Sequence, residues 1–431
     1  MSPTSIPRHL TPIGTAWIFA TAWMIHGSVA AAELAAETTF EGASAKIIGI
    51  DQQQRIISFE PGGNPERGWP IWWNFRIRGG NPGEAITLRL RAPDVLIRQT
   101  NYKWLKTKPL SLDWSAPRQA SWSVDGETWQ RTEPGTREGG WMVYKVTPMT
   151  ETLQIGWGPT YTPSHAAEFT RSCAEKFPAM AKAESLCQSR GGRAVPLLRI
   201  AEGDAKGRGV IWIHARQHAW ESGSSWVAQG LAEWLLGNDA EAVWLRRHRE
   251  FIVVPVMDVD HVAEGQGGKE AIPQDHNRDW TDQPHWPEVA AAQQVMKRLI
   301  GEGRLEAFID LHNPGPNNRS VQFHTPPDEG TKTGQRAAIN RFHAIARKRL
   351  AAVMPVEKEP LKSGANYDPT WARMSASWVA AQAAETALPV CIETPWNTPR
   401  SSQEGYRDMG AAIGRCIHDY SKEMGTAAPG K

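Results

Sequence analysis

Short apolar runs separated by turn residues follow one another between residues 38 and 165. Residues 45–50 and 85–91, for example, show period-two alternation or an enrichment in β-branched side chains, as half-buried strands do. Glycine- and proline-containing sequences separate these runs, as at residues 62–65 and 79–83. Regular short strands with such turns predict a β-sandwich over residues 38–165.

The pattern of apolar positions changes after residue 195. Continuous apolar runs, typical of strands buried on both faces, occupy residues 209–213, 251–256, 307–311 and 389–392. Segments with helical periodicity alternate with them, at residues 224–236, 287–300 and 336–353. This alternation predicts an α/β domain over residues 195–425, with a mixed, mostly parallel sheet and helices on both faces. Residues 166–194, rich in alanine, glutamate and lysine, are predicted to form a helical connector between the two domains.

The N-terminus has the pattern of an export signal. Arg8 and His9 precede an apolar stretch over residues 13–25, and small-x-small cleavage sequences follow at residues 28–32. The stretch is shorter than the ~20 residues of a spanning helix. We therefore expect a signal peptide over residues 1–32, a periplasmic or secreted mature protein, and no integral membrane segment after cleavage. An uncleaved membrane anchor is the alternative.

Charge and composition indicate which classes of partner the protein can bind and whether its cysteines can form disulfides. The 48 basic and 46 acidic residues give a formal net charge of +2, which excludes nucleic acid as the main partner. The 21 tryptophans indicate aromatic-rich clefts or well-filled cores. Four cysteines in an oxidising compartment permit two disulfides. Cys173 and Cys187 are the favoured pair, and Cys391 on a predicted core strand is expected to be a free thiol.

Histidines and carboxylates follow the predicted strands of the second domain. His218 and Glu221 come shortly after residues 209–213, and His312 and Glu393 come directly after two later strands. Because the carboxyl ends of parallel strands meet at one edge of a sheet, these four side chains are expected to lie together. Two imidazoles and a carboxylate form a catalytic zinc ligand set, so His218, Glu221 and His312 are expected to bind one Zn²⁺. Glu393 remains as the general base.

Each of these residues has an ordinary structural interpretation when taken singly. A His-x-x-Glu pair fits a solvated turn, His312 fits a strand-end histidine, and Glu393 fits an ion pair. Two further histidines, His214 and His276, are expected to lie outside the metal shell.

Four motifs in this order resemble those of the zinc carboxypeptidase (funnelin) family. They are ARQHAWE at residues 215–221, DHNRDW at 275–280, DLH at 310–312 and IETP at 392–395. The gap of 91 positions (312 − 221) between Glu221 and His312 is similar to that of the cytosolic-carboxypeptidase subgroup and its bacterial secreted relatives, which also carry an N-terminal β-sandwich.

The resemblance implies roles for further residues. Asn277 and Arg278 would bind the terminal carboxylate of the substrate, which a guanidinium can grip through two parallel hydrogen bonds. Family members often have an upstream arginine that stabilises the oxyanion, whereas here Lys269 is the nearest cation. Lys269 is therefore expected to stabilise developing charge, or else to be a solvated loop residue. Tyr367 would cap the substrate, and Arg373 would either favour an acidic substrate side chain or form an external ion pair.

Together these features predict a secreted zinc metallocarboxypeptidase that hydrolyses C-terminal peptide bonds with a zinc-activated water and a glutamate general base. One alternative is a zinc amidase that acts on cell-wall (peptidoglycan) peptides with the same residues. A second alternative is an inactive, surface-binding protein whose tryptophan-rich β-domain recognises a polymer. The presence of the full ligand set together with Glu393 argues against inactivity.

Overall fold

Two five-stranded sheets form the N-terminal part of the computed structural model, which describes residues 33–97, 100 and 103–426. The predicted signal peptide over residues 1–32 therefore lies outside the described residues. The described elements of this part are β1 (Ala35–Glu37), β2 (Lys46–Asp51), β3 (Ile56–Glu60), β4 (Asn74–Arg78), β5 (Ile86–Leu90), α1 (Leu112–Ser115), β6 (Ser121–Ser123), β7 (Gln130–Arg131), β8 (Thr136–Glu138), β9 (Trp141–Val146) and β10 (Leu153–Gly156). The strand orders are β1-β4-β10-β6-β7 and β2-β3-β5-β9-β8.

One apolar core joins these two sheets. Ile86, Leu88 and Leu90 of β5 are fully buried, and so are Phe75 and Ile77 of β4 in the other sheet. Burial of every second residue follows from the alternation of side chains across a strand whose one face packs inward. The β-sandwich predicted from the apolar pattern is confirmed.

An eight-stranded sheet with its helices forms the rest of the described chain. Its elements are α2 (Pro163–Lys176), β11 (Ala181–Gln188), β12 (Ala194–Ile200), β13 (Gly209–Ala215), α3 (Ser222–Leu236), α4 (Ala240–His248), β14 (Arg249–Val254), α5 (Val259–Ala263), α6 (Pro287–Gly301), β15 (Leu305–His312), β16 (Gln322–Thr325), α7 (Thr333–Arg349), β17 (Leu361–Lys362), α8 (Ser375–Gln382), β18 (Leu388–Glu393) and α9 (Gln403–Thr426). No helix in the described ranges is long and apolar enough to cross a membrane.

The sheet has the order β11-β12-β14-β13-β15-β18-β16-β17, and its four central strands run parallel. Strands β11 and β12 add to one side in antiparallel fashion, and β16 pairs antiparallel with β18. Residues 210–215 of β13 are all buried, whichever face of the sheet they point to. Helices therefore cover both faces, and the predicted α/β architecture is confirmed.

The connector predicted as helical over residues 166–194 is helical only in its first part. Helix α2 ends at Lys176, and Ala181–Gln188 forms the edge strand β11. Pairing with β12 overrides the helical preference of its Ala, Glu and Lys residues, and its polar side chains face solvent at the edge of the sheet. The favoured disulfide is also absent, because Cys173 and Cys187 are both free thiols.

A backbone contact joins the sandwich to the loop that follows α5. The amide of Gly268 donates to the carbonyl of Arg67 (3.0 Å), and the amide of Trp69 donates to the carbonyl of Lys269 (3.1 Å). Gly68 lies between these bonds with a φ of +108°, and a Cβ there would lie 2.1 Å from the Gly268 nitrogen. The N-terminal domain thus supports the segment that carries Lys269.

Candidate active site

The loop between β13 and α3 places the first two predicted ligands. Arg216 turns the chain sharply after β13 with a φ of +65°, and its Nε donates to the carbonyl of Ala219 (2.7 Å). His218 and Glu221 follow, with 4% and 2% of their surface exposed, and α3 begins at the next residue. Both side chains are therefore fixed beneath the surface at the carboxyl edge of the sheet.

Strand pairing places the other two residues. His312 is the last residue of β15 and Glu393 is the last residue of β18, and the two are direct partners in the parallel register. Because paired residues on neighbouring strands point to the same side, the sheet itself sets the predicted base beside the third ligand.

His218, Glu221 and His312 converge within the protein. The Nδ1 atoms of His218 and His312 each lie 2.7 Å from a different oxygen of Glu221, and the two imidazole centroids are 4.8 Å apart. All three candidate ligand atoms lie within 4.8 Å of one another. Two neutral nitrogens and one carboxylate, buried and directed to one point, are the donors that zinc prefers. The residues therefore fit a zinc ion.

A second ring of carboxylates supports this ligand set. Nε2 of His218 lies 3.3 Å from Asp275 Oδ1, and Nε2 of His312 lies 3.1 Å from Asp310 Oδ1. A carboxylate at the second ring nitrogen fixes the orientation of a metal-binding imidazole and increases its basicity. Sequence reasoning did not single out either aspartate, although Asp275 opens the DHNRDW motif and Asp310 opens the DLH motif.

These buried carboxylates remain ionised. Burial alone would raise the pKa of Glu221, but the interactions with His218 and His312 outweigh it and lower the pKa to about 2. Burial also acts to raise the pKa values of Asp275 and Asp310, and the neighbouring histidines lower both well below the usual range. The site therefore holds three negative charges around two imidazoles, which favours a bound cation.

The predicted substrate-binding pair lies in a short 3-10 turn, His276–Arg278. Asn277 Oδ1 accepts a hydrogen bond from the amide of Ser375 (3.0 Å), and its Nδ2 lies 3.3 Å from His312 Nε2. Arg278 donates from Nε and Nη2 to Asp368 Oδ2 and from Nη1 to the carbonyl of Asn277. Both residues line the same cavity as the metal-ligand set.

One cavity is lined by the predicted metal ligands, the predicted base and the predicted substrate-binding residues. Its volume is about 200 Å³. Its lining includes His218, Glu221, Lys269, Asn277, Arg278, His312, Tyr367 and Glu393. Lys269 Nζ lies 5.4 Å from the ring of Trp69, and Tyr367 is 42% exposed with its ring 5.4 Å from that of His324. Arg373 is exposed and lies outside this lining.

The sandwich domain contributes to the wall of this cavity. Trp69 and Trp114 belong to the N-terminal part. They line the cavity beside Trp220, which lies in the loop between β13 and α3. Their rings pack edge to face, with centroids 5.0 Å apart for Trp69 and Trp114 and 6.4 Å apart for Trp114 and Trp220. The N-terminal domain is thus part of the site.

Comparison with known proteins identifies a domain in this chain. Residues 166–293 match the family model described as zinc carboxypeptidase. The chain carries a zinc carboxypeptidase domain. This family uses one Zn²⁺, and His218, Glu221 and His312 form a group of side chains that fits it.

Curated relatives of the zinc carboxypeptidase domain are cytosolic carboxypeptidases. The chain is 26% identical to cytosolic carboxypeptidase 2 of Danio rerio over 277 residues, which are 58% of this chain and 37% of the relative. It is 25% identical to human cytosolic carboxypeptidase 6 over 261 residues, or 56% and 49% of the two chains. The chain thus spans less than half the length of these curated relatives.

Solved structures share the fold over nearly the whole chain. A metallo-carboxypeptidase from Burkholderia cenocepacia superposes with a TM-score of 0.73 at 20% identity, covering 91% of this chain and all of the other. A metallo-carboxypeptidase from Pseudomonas aeruginosa gives a TM-score of 0.71 at 20% identity, covering 90% of this chain and all of the other. Both similarities include the N-terminal sandwich as well as the zinc carboxypeptidase domain.

The carboxypeptidase domain holds one further residue that the sequence pattern did not single out. His324, on β16, places Nε2 3.5 Å from Glu393 Oε2 and Nδ1 3.0 Å from Ser363 Oγ. Burial alone would raise the pKa of Glu393, but the interactions with His324 and, to a lesser extent, His312 together outweigh it and lower that pKa. No local motif marks His324, because it reaches Glu393 only through the pairing of β16 with β18.

His214 and His276 are not members of the group formed by His218, Glu221 and His312. Nε2 of His214 lies 3.0 Å from Asp310, whereas Nε2 of His276 lies 2.7 Å from Glu288. His214 and His312 therefore share Asp310 as a partner, and His276 belongs to a separate group of polar side chains.

Proposed function

We propose that the chain is a secreted zinc metallocarboxypeptidase that removes C-terminal residues from peptides. One observation carries this proposal: Arg278 and Glu393 line the same small cavity as the metal-ligand set. The volume of about 200 Å³ is below the ~300–1,000 Å³ of sites for drug-sized ligands. A site of this size suits the last residue of a chain.

The hydrogen bonds of Arg278 leave the donors that a carboxylate needs. A guanidinium has five N–H groups, and three are used: Nε and Nη2 toward Asp368, and Nη1 toward the carbonyl of Asn277. One N–H remains on each terminal nitrogen, and each can donate a hydrogen bond to an oxygen of a terminal carboxylate.

The positions of the side chains support the following reaction. A bound zinc ion supplies the Lewis acidity that polarises the scissile carbonyl and makes water more acidic. Glu393, ionised because of its lowered pKa, accepts a proton from the attacking water and passes it to the leaving amine. Lys269 places a positive charge at the cavity wall, where it stabilises the negative charge that develops on the carbonyl oxygen.

The cavity lining also bears on the terminal side chain. Its charged side chains are Glu221, Lys269, Arg278, Asp310 and Glu393, and each already has a role in the proposed reaction or its support. The rest of the lining includes small polar residues such as Ser363, Ser377 and Thr325. Because Arg373 lies outside the cavity, we propose that uncharged terminal side chains are preferred to acidic ones.

The export signal predicted over residues 1–32 would place this activity in the periplasm or outside the cell. Peptides that include peptidoglycan peptides are present there, and the same residues would act on either. The position of the cleaved bond distinguishes the two substrate classes.

A peptide-library digest read by mass spectrometry tests the proposal. We expect loss of single C-terminal residues, no cleavage of the same peptides with an amidated C-terminus, and loss of turnover with retained zinc in Glu393→Gln. The control variant is His248→Ala, which removes an exposed histidine far from the site. Internal cuts confined to muropeptides would instead support a cell-wall amidase, and intact peptides in every reaction would refute hydrolysis.

A further inference from the structure

A second cluster of metal-binding side chains lies apart from the cavity. Asp258, His261 and His276 offer ligand atoms within 4.8 Å of one another. Their exposed fractions are 0%, 1% and 0%. Asp258 and His261 begin α5 with an Asp-x-x-His spacing that matches the His-x-x-Glu spacing of the catalytic loop, and His276 begins the turn with Asn277 and Arg278.

One nitrogen–oxygen distance in this cluster is close to those of the His218, Glu221 and His312 set, and the other is longer. His261 Nδ1 lies 2.8 Å and His276 Nδ1 lies 3.4 Å from Asp258 Oδ2. In the catalytic set, the two corresponding nitrogen–oxygen distances are both 2.7 Å. A cation would lie ~2.0–2.2 Å from each donor atom, so the three side chains would have to move apart only slightly to bind it. The same holds for the metal-ligand set of His218, Glu221 and His312.

His276 has a nitrogen that the protein alone does not satisfy. Its Nδ1 is buried and has no hydrogen-bond partner among the described residues, although it faces Asp258. A buried polar atom without a hydrogen-bond partner destabilises the folded state, so such an atom requires an explanation. The other nitrogen, Nε2, lies 2.7 Å from Glu288, as Nε2 of His312 lies beside Asp310. This carboxylate fixes the ring with Nδ1 directed at the cluster.

We propose that Asp258, His261 and His276 bind a second divalent cation, zinc by their donor types, with a structural role. Two imidazoles and one carboxylate are donors that suit zinc, and the second oxygen of Asp258 or a water completes the coordination. Since the cluster is buried, a substrate cannot reach it. The cation crosslinks α5 to the turn that presents Asn277 and Arg278.

A crosslink at this position would order the long loop between α5 and α6. Residues 264–286 contain no regular element except the 3-10 turn, yet they supply Lys269, Asp275 and the carboxylate-binding pair. Loops of this length without secondary structure are uncommon in compact domains, and a metal can supply the ordering that a helix or strand would give.

A metal-free arrangement is the competing explanation. A protonated His276 would lie between Asp258 and Glu288, stacked on Trp286 with ring centroids 4.5 Å apart and planes 8° apart. This arrangement binds no metal, so the two explanations differ in the number of zinc ions per chain.

The experiment measures zinc by mass spectrometry in the purified, dialysed full chain and in two double variants. We expect two ions in the wild type, and one in each of His218→Ala/His312→Ala and His261→Ala/His276→Ala. The control His343→Ala removes another buried histidine and should keep both ions. Wild type with one ion and His218→Ala/His312→Ala with none would overturn the proposal.

Two features keep this test decisive. If His261→Ala/His276→Ala does not fold, the zinc content of His218→Ala/His312→Ala alone decides, because that variant leaves the cluster intact. An anomalous-scattering peak at the zinc edge between Asp258 and His276 in a crystal is the independent readout. Neither measurement depends on peptide hydrolysis, so failure of the proposed function would leave the result unchanged.

Discussion

Asp368 holds the side chain of Arg278 from one side. Nε and Nη2 of Arg278 donate to Asp368 Oδ2 at 3.1 and 3.0 Å, and Oδ1 accepts from the backbone and the hydroxyl of Thr370 at 2.7 and 2.6 Å. Burial acts to raise the pKa of Asp368, but Arg278 and Thr370 outweigh it and lower that pKa. The charged pair therefore persists at neutral pH and directs the two remaining terminal N–H groups of Arg278 away from Asp368.

Replacing Asp368 by asparagine should weaken substrate binding rather than chemistry. A carboxylate that only orients Arg278 contributes to ground state and transition state alike, so we expect KM to rise ~10-fold with kcat nearly unchanged. Steady-state kinetics on a peptide with a free C-terminus measures both constants. The control Asp328→Asn removes an exposed carboxylate that pairs with Lys362. A fall in KM would show instead that Asp368 competes with the substrate for Arg278.

The carboxylates behind the ligand histidines should determine zinc affinity. Asp275→Asn and Asp310→Asn each remove the negative charge beside one Nε2, so we expect zinc to bind ~10–100-fold more weakly in each variant. Competition with a chelator of known affinity measures this change. Asp408→Asn, which removes a surface partner of Arg400, should not alter affinity. Unchanged affinity in both site variants would show that the second ring does not support the metal.

His324 should set the acidic limb of the pH profile. Its interaction lowers the pKa of Glu393 against the effect of burial, so His324→Phe should let that pKa rise. Glu393 must be ionised to accept a proton. The acidic limb of kcat/KM should therefore move to higher pH in the variant, while the rate on the plateau changes less. A limb at the wild-type pH would show that His324 does not act on Glu393.

The features that the sequence predicted are those that short motifs and strand ends encode. His218, Glu221, His312 and Glu393 could be predicted because a parallel sheet brings the residues after its strands to one edge. Residues that are far apart in the sequence and come into contact only in the folded structure were missed. His324 reaches Glu393 across a strand pair, and no spacing rule marks such a contact. The edge strand β11 was missed for a related reason, since its helix-forming composition is overridden by pairing with β12.

Lys269 should contribute to turnover more than to binding. If its ammonium stabilises the charge that develops on the carbonyl oxygen, Lys269→Met should lower kcat by ~10²–10³-fold and change KM little. Lys297→Met is a matched control, because Lys297 Nζ also lies near a tryptophan ring, 5.7 Å from Trp378, but outside the cavity. Wild-type kcat in Lys269→Met would remove this residue from the mechanism.

Gly68 should be essential for the contact between the two domains. An alanine there combines a φ of +108° with a Cβ 2.1 Å from the Gly268 nitrogen, so the two backbones must separate. We expect Gly68→Ala to lower the free energy of unfolding by about 2–4 kcal/mol, from overpacking together with backbone strain. Gly83→Ala is the matched control: its φ is +83° and nothing lies within 4 Å of its Cβ, so it should cost only ~1 kcal/mol. Denaturant unfolding measures both. Because Lys269 follows Gly268 directly, Gly68→Ala should also reduce kcat. Equal effects of Gly68→Ala and Gly83→Ala on stability and activity would show that the contact between the domains is dispensable.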